Sequence, residues 1–119
     1  MKKVSLFILI LIFSGCASQE MKIVRNMDIQ DIDINKISDG EYIGTFSYSN
    51  FEYKVKTIIK DHKIKDIIIL QNRDTKHSKR AEGVIPEIIR QQTPDVDAVS
   101  GASTTSKALM KAVENSLRK

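Results

Sequence analysis

Between Phe51 and Lys60 the chain alternates. Phe51, Tyr53, Val55 and Thr57 fall on one side, and Glu52, Lys54 and Lys56 on the other. A period of two, carried by aromatic and β-branched residues, specifies a strand with one buried face. Such a strand needs neighbours, and the flanking sequence supplies them. The stretch from Tyr42 to Tyr48 carries Tyr42, Ile43, Phe46 and Tyr48, and Ser49-Asn50 reads as a hairpin turn. Asp61-His62 marks the next turn. Lys63 to Leu70 ends in Ile67-Ile68-Ile69-Leu70, which predicts a well-buried strand. Asp39-Gly40 is the turn signal that opens the set. The expectation is an antiparallel meander of three strands.

The second half changes period. Gln71 to Arg80 is polar and basic, with Arg73, Lys76, His77, Lys79 and Arg80, and reads as a crossover loop. A helix is predicted from about Ala81 or Val84 to Gln92, with Val84, Ile85, Ile88 and Ile89 on one face. Pro86 is tolerated only in its first turn, and Thr93-Pro94 ends it. A last helix is predicted from about Thr104 to Leu117. Leu109, Ala112, Val113 and Leu117 line its buried side, while Lys107, Lys111, Glu114 and Arg118 face out, with Lys111 in reach of Glu114. The fold class is α+β: a short antiparallel β-meander followed by two helices, with a small-residue loop between the helices.

The N-terminus has a different character. Lys2 and Lys3 precede an apolar run from Val4 to Phe13, followed by Ser14-Gly15-Cys16. A basic start, a short apolar core and small residues read as a secretory signal. Ser14-Gly15-Cys16 resembles the lipobox of bacterial lipoproteins, although Phe13 stands where Leu is usual. The expected organisation is a signal peptide over 1–15, a lipidated N-terminus and tether over 16–38, and a domain over 39–119. From the tether to Asp39, Asp28, Asp31, Asp33 and Asp39 alternate with Ile29, Ile32, Ile34 and Ile37, which fits a short strand or a linker lying on the domain. Lipidation of Cys16, the one cysteine, would leave no thiol for a disulfide or a metal. It would anchor the domain in the cell membrane or envelope, on the extracytoplasmic face.

Charge and composition exclude some classes. Removing Lys2 and Lys3 lowers the formal charge from +4 to +2. That small excess, with no Trp, argues against a nucleic-acid partner. His62 and His77 share no metal-ligand spacing with other residues, so no metal site is expected. No Walker loop or nucleophile elbow occurs, and no residue is assigned a catalytic role.

The loop between the helices concentrates the chemistry. Asp97-Ala98-Val99-Ser100-Gly101-Ala102-Ser103-Thr104-Thr105-Ser106 surrounds one Gly-Ala step with hydroxyls just before a helix. Small residues let backbone N–H groups approach an oxyanion, and a helix start adds partial positive charge. Gly101 permits a conformation other residues resist, and Ala102 keeps the approach open. Ser100 and Thr105 can donate to phosphate or ribityl oxygens. The same residues also fit an ordinary Ser/Thr cap after a glycine turn, and both readings stand at this point.

Asp97-x-x-Ser100-Gly101-Ala102-Ser103 resembles the flavinylation motif of the FMN-binding domain family. That family includes the C subunit of sodium-pumping NADH:quinone reductase, the Rnf G subunit and small bacterial lipoproteins. Asp95-Val96-Asp97-Ala98-Val99, Thr105-Ser106-Lys107-Ala108, Ala81-Glu82, Ile85-Pro86 and Gln92 extend the likeness, which covers roughly residues 39–119. The resemblance implies FMN joined by a phosphoester to Ser103, where the family prefers Thr. Ser100, Gly101, Ala102, Thr104, Thr105 and Ser106 would bind the cofactor, and the loop between the helices would be the flavin-attachment loop. Asp97 would serve modification by a flavin transferase dependent on FAD and magnesium, or would fix the loop through an Asx-type bond. Val99, Leu109 and the polar loop are candidate neighbours of the flavin ring. Arg73, Lys76, Lys79 and Arg80 would balance phosphate or reduced-flavin charge, or form a solvated face. The implied role is an electron carrier rather than a stand-alone enzyme, with a membrane or extracytoplasmic redox partner. The alternatives are reversible FMN binding and a structural lipoprotein with an unmodified motif.

Overall fold

The computed structural model describes residues 19–118. The expected signal peptide and Cys16 lie outside the described residues. A helical segment, α1 (residues 19–25), comes first. A 3-10 turn (Ile34–Lys36) follows, then β1 (Gly40–Tyr48), β2 (Phe51–Lys60), β3 (Lys63–Gln71), α2 (Lys76–Ala81), α3 (Val84–Gln91) and α4 (Ser103–Leu117).

The three strands form an antiparallel sheet in the order β1-β2-β3. Tyr48 pairs with Phe51 across the first turn, and Lys60 pairs with Lys63 across the second. Asp61 and His62 both take positive φ, 54° and 59°, as a tight two-residue hairpin turn requires. The inner face of β2 is fully closed, with Tyr53, Val55 and Thr57 at 0% exposure.

Helix α4 lies across that inner face, against β1 and β2. Gly44 makes this approach possible. A Cβ there would lie 2.0 Å from the Ala112 carbonyl oxygen and 2.4 Å from the Ser116 nitrogen. Thr57 Oγ1 and Ser116 Oγ share a buried hydrogen bond of 2.8 Å, and Asn115 Nδ2 donates to the Thr45 carbonyl at 2.8 Å. Gln92, left-handed at the end of α3, donates from Nε2 to the Ile64 and Ile89 carbonyls and accepts from the Ile64 N–H. One side chain thus closes α3 and ties it to β3.

Three sequence expectations need correction. The Ile67–Leu70 run is not buried throughout: Ile67 is in the core, but Ile68 and Leu70 are exposed. The cause is the single helical layer, which covers one face of the sheet. Within the supposed crossover loop, residues 76–81 form α2, so three helices follow the sheet. Thr75 caps α2 by accepting from the Ser78 N–H at 3.1 Å, and Lys79 and Arg80 suit its last turn. Lastly, Glu114 does not face solvent. Val24, Ile29 and Ile34 are buried in the core, so the segment before β1 lies on the domain, over one flank of α4. There the Glu114 carboxylate accepts from the Gln30 N–H at 2.8 Å, Lys111 Nζ at 3.0 Å and Arg118 Nη1 at 2.9 Å. Burial alone would raise the Glu114 pKa. The Gln30 N–H and the two cations outweigh that and hold it below the usual carboxylate range.

Candidate functional site

The site is built around the start of α4. The residue before the helix, Ala102, offers no side-chain cap, and the Ser106 N–H bonds back to the Ala102 carbonyl at 3.0 Å. The earlier N–H groups of Ser103, Thr104 and Thr105 are therefore those that a helix start leaves without intrahelical acceptors. A tight loop aims them. The Ala102 N–H bonds to the Val99 carbonyl at 3.0 Å, and Ser106 Oγ accepts from the Val99 N–H at 3.0 Å. Gly101 sits at φ +79° beneath the Arg80 guanidinium, and Arg80 Nη2 donates to the Ser100 carbonyl at 2.6 Å. A Cβ on Gly101 would lie 3.1 Å from that Nη2. Backbone conformation and close approach both call for glycine there.

A pocket of about 430 Å³ opens beside this helix start. Gly101, Ala102, Ser103, Thr104 and Thr105 form one wall. Arg73, Thr75, His77 and Ser78 come from the end of the sheet and from α2, Tyr48 from β1, and Met21 and Arg25 from α1. The basic side chains Arg25, Arg73 and His77 line it, and among the described residues no carboxylate does. Arg73 is fixed by stacking, its guanidinium carbon 3.7 Å from the centre of the Phe51 ring. Tyr48 stacks on Tyr53 with ring centres 5.9 Å apart. Burial, and then the bond to Tyr48, push the Tyr53 hydroxyl well above its ordinary range, so it stays protonated.

The motif residues divide into two groups. Gly101, Ala102, Ser103, Thr104 and Thr105 line the pocket, with Ser103 and Thr104 half-buried. Thr105 is buried and shares its hydroxyl with Ser78 Oγ at 3.3 Å. Ser106 is fully buried and serves the loop from inside. Ser100 is exposed and meets Arg80 through its carbonyl. Asp97 is exposed on the loop, outside the pocket wall. Of the suggested ring neighbours, Leu109 is entirely in the core, and Val99 leans towards Gly83. The polar-loop residues Arg73 and His77 do reach the pocket. Met21 and Arg25 were not singled out for it by the sequence, because nothing in their local pattern distinguishes them. Among the described residues, no group of three or more His, Cys, Asp or Glu could hold a metal ion.

Fold and site together define a small α+β domain with a basic-lined pocket beside the start of its last helix. Residues 48–118 match the profile of the FMN-binding domain family, more than half of the chain, and the chain belongs to that family. Its cofactor is FMN. The residues present fit that group. Open N–H groups and three basic side chains suit the phosphate, and the volume falls within the range of small-ligand pockets. The chain is also 26% identical, over 103 residues, to an NADH:acrylate oxidoreductase of Vibrio harveyi. The aligned part is 85% of this chain and 10% of that protein, so the chain spans about a tenth of its relative's length.

Proposed function

We propose that this protein is an electron carrier holding FMN by a phosphoester on Ser103, tethered by a lipid on Cys16 to the extracytoplasmic face of a membrane. The observation that carries the attachment is the position of Ser103: first residue of α4, half-buried, in the wall of a pocket with basic ionisable lining. An anion at a helix start gains about 0.3–1 kcal/mol from the dipole, more when partly buried. The Ser103 hydroxyl is the nucleophile in loading. Its oxygen bonds to the phosphorus of the FMN half of FAD, the bond to AMP breaks, and the hydroxyl proton is released. A flavin transferase supplies FAD and magnesium, and the exposed Asp97 is available for it to meet.

After loading, the chain holds, orients and tunes the group, and FMN supplies the redox chemistry. Gly101 and Ala102 keep the backbone close, Thr104 offers a hydroxyl and an N–H, and Ser106 and Arg80 hold the loop that carries Ser103. Arg25 and Arg73 favour negative charge in the pocket, and His77 offers a ring nitrogen beside them. The redox partner is a membrane or extracytoplasmic component.

The test is co-production with a flavin transferase, followed by denaturation and measurement of intact mass and fluorescence. Flavin stays with the unfolded wild-type chain, disappears in Ser103→Ala and persists in Ser103→Thr. Flavin lost on unfolding of the wild type supports reversible binding instead. A colourless wild type under full FAD supply supports a structural lipoprotein.

A further inference from the structure

We infer that the rim of the Ser103 pocket is a docking face for an anionic lipid surface. The inference rests on the lipid-anchor reading proposed above. Helix α1 buries Val24 against the domain but leaves Met21 43% and Ile23 68% exposed, with Lys22 and Arg25 exposed beside them. An apolar edge flanked by cations is the pattern that settles into a headgroup layer. Met21 and Arg25 also line the pocket, together with Arg73 and His77 from across its mouth, and Lys76 is exposed next to them. The acidic residues in these two segments, residues 19–25 and 73–77, are Glu20 and Asp74, so cations predominate. Each cation held near an anionic surface contributes about 1 kcal/mol.

Chain length adds an independent constraint. Met21 lies five residues after Cys16, and five residues reach at most about 18 Å even when fully extended. A lipid on Cys16 therefore holds Met21, at the edge of the pocket wall, within that distance of the bilayer. The opposite apolar patch, on the outer face of the sheet, contains Ile68 and Leu70 and lies beyond the β-meander from α4. The pocket mouth faces the headgroups, and the outer face of the sheet points away from them.

The chain has no Trp, so a single introduced Trp reports its own surroundings. The lipidated protein, carrying Ile23→Trp or Ile68→Trp, is reconstituted in phosphatidylglycerol vesicles whose acyl chains are brominated. Both positions are exposed, so neither change disturbs the core. The Ile23→Trp emission falls to about half or less on contact with the brominated chains, and the Ile68→Trp emission does not change. In phosphatidylcholine vesicles of the same bromination the Ile23→Trp quenching weakens at least twofold. No quenching of Ile23→Trp, equal quenching at the two positions, or equal quenching in the two lipids overturns the inference. Flotation of the same samples separates the two readings. Protein that does not float with the vesicles defeats the lipid anchor and this inference together, whereas protein that floats without quenching defeats the docking face alone.

Discussion

The two ends of α4 are built to opposite rules. At its C-terminal half, Glu114 and Ser116 are buried and their polar atoms are answered, by Gln30, Lys111, Arg118, Thr57 and the Val113 carbonyl. At its N-terminal end there is no side-chain cap, and hydroxyls and N–H groups face a cavity. The polar groups of the saturated end are already engaged, whereas the N–H groups at the open helix start remain available to an anion. The closed half fixes the helix, and the open half presents Ser103.

If that division is right, damage to the closed half costs stability, while damage to the open half costs loading. The largest effect is expected from Gly44→Ala. The added methyl meets the α4 backbone rather than a yielding side chain. Overpacking of that kind costs about 3 kcal/mol or more, so urea denaturation should find the variant largely unfolded. Glu114→Ala comes next. It strands the Gln30 N–H and removes the partner of Lys111 and Arg118. Breaking a buried pair typically costs about 3–5 kcal/mol. The exposure of Arg118 places this one at about 3 kcal/mol, readable by the same titration.

Glu114 also sets a pH dependence. Its pKa in the folded chain lies below its unfolded value. Its stabilisation is therefore complete above the ordinary Glu value of about 4.3 and lost as pH falls through the lower folded value. Asp39 and Glu87 are shifted in the same direction but are exposed, so they add little. The wild-type melting temperature should drop steeply below about pH 4, and Glu114→Gln should start lower and drop less. An equal slope in both proteins would remove Glu114 from the account.

Ser106→Ala tests the seam between the two halves. It strands the Val99 N–H and should cost about 1–2 kcal/mol, with loading reduced because the loop loosens. The smallest stability effect is expected from Arg80→Gln, about 0.5 kcal/mol or less for an exposed side chain. It frees the Ser100–Gly101 turn, so flavin loading, followed by the rate of mass increase with a transferase, should slow while the melting temperature holds.

Much of this was legible in the sequence. The buried face of Tyr53, Val55 and Thr57 follows from alternation, and the β2 limits follow from the turn residues Ser49-Asn50 and Asp61-His62, because both signals are local. The start of α4 was readable to within one residue from the Gly-Ala step. Misreadings came where the environment is set by distant chain. Ile68 and Leu70 look like core until the sheet proves to have one covered face. Glu114 looks like a solvent-facing partner of Lys111 until Gln30, 84 residues away, covers it. The six-residue α2 is too short and polar to show an apolar period. For the site, the hydroxyl-rich wall was written in one motif. Of the opposing wall, Arg73 and His77 belong to the polar loop already suspected, whereas Met21 and Arg25 are brought in by α1, and no local spacing encodes that.

The central claim is that the open end of α4 carries the flavin on one particular oxygen. Trypsin should release residues 91–107 of the transferase-treated protein as one peptide, and fragmentation of that peptide locates any added group among its hydroxyls. Flavin phosphate is expected on Ser103, with Thr93, Ser100, Thr104, Thr105 and Ser106 unmodified. Flavin phosphate on another of these hydroxyls, or an unmodified peptide under full FAD and magnesium supply, would contradict it.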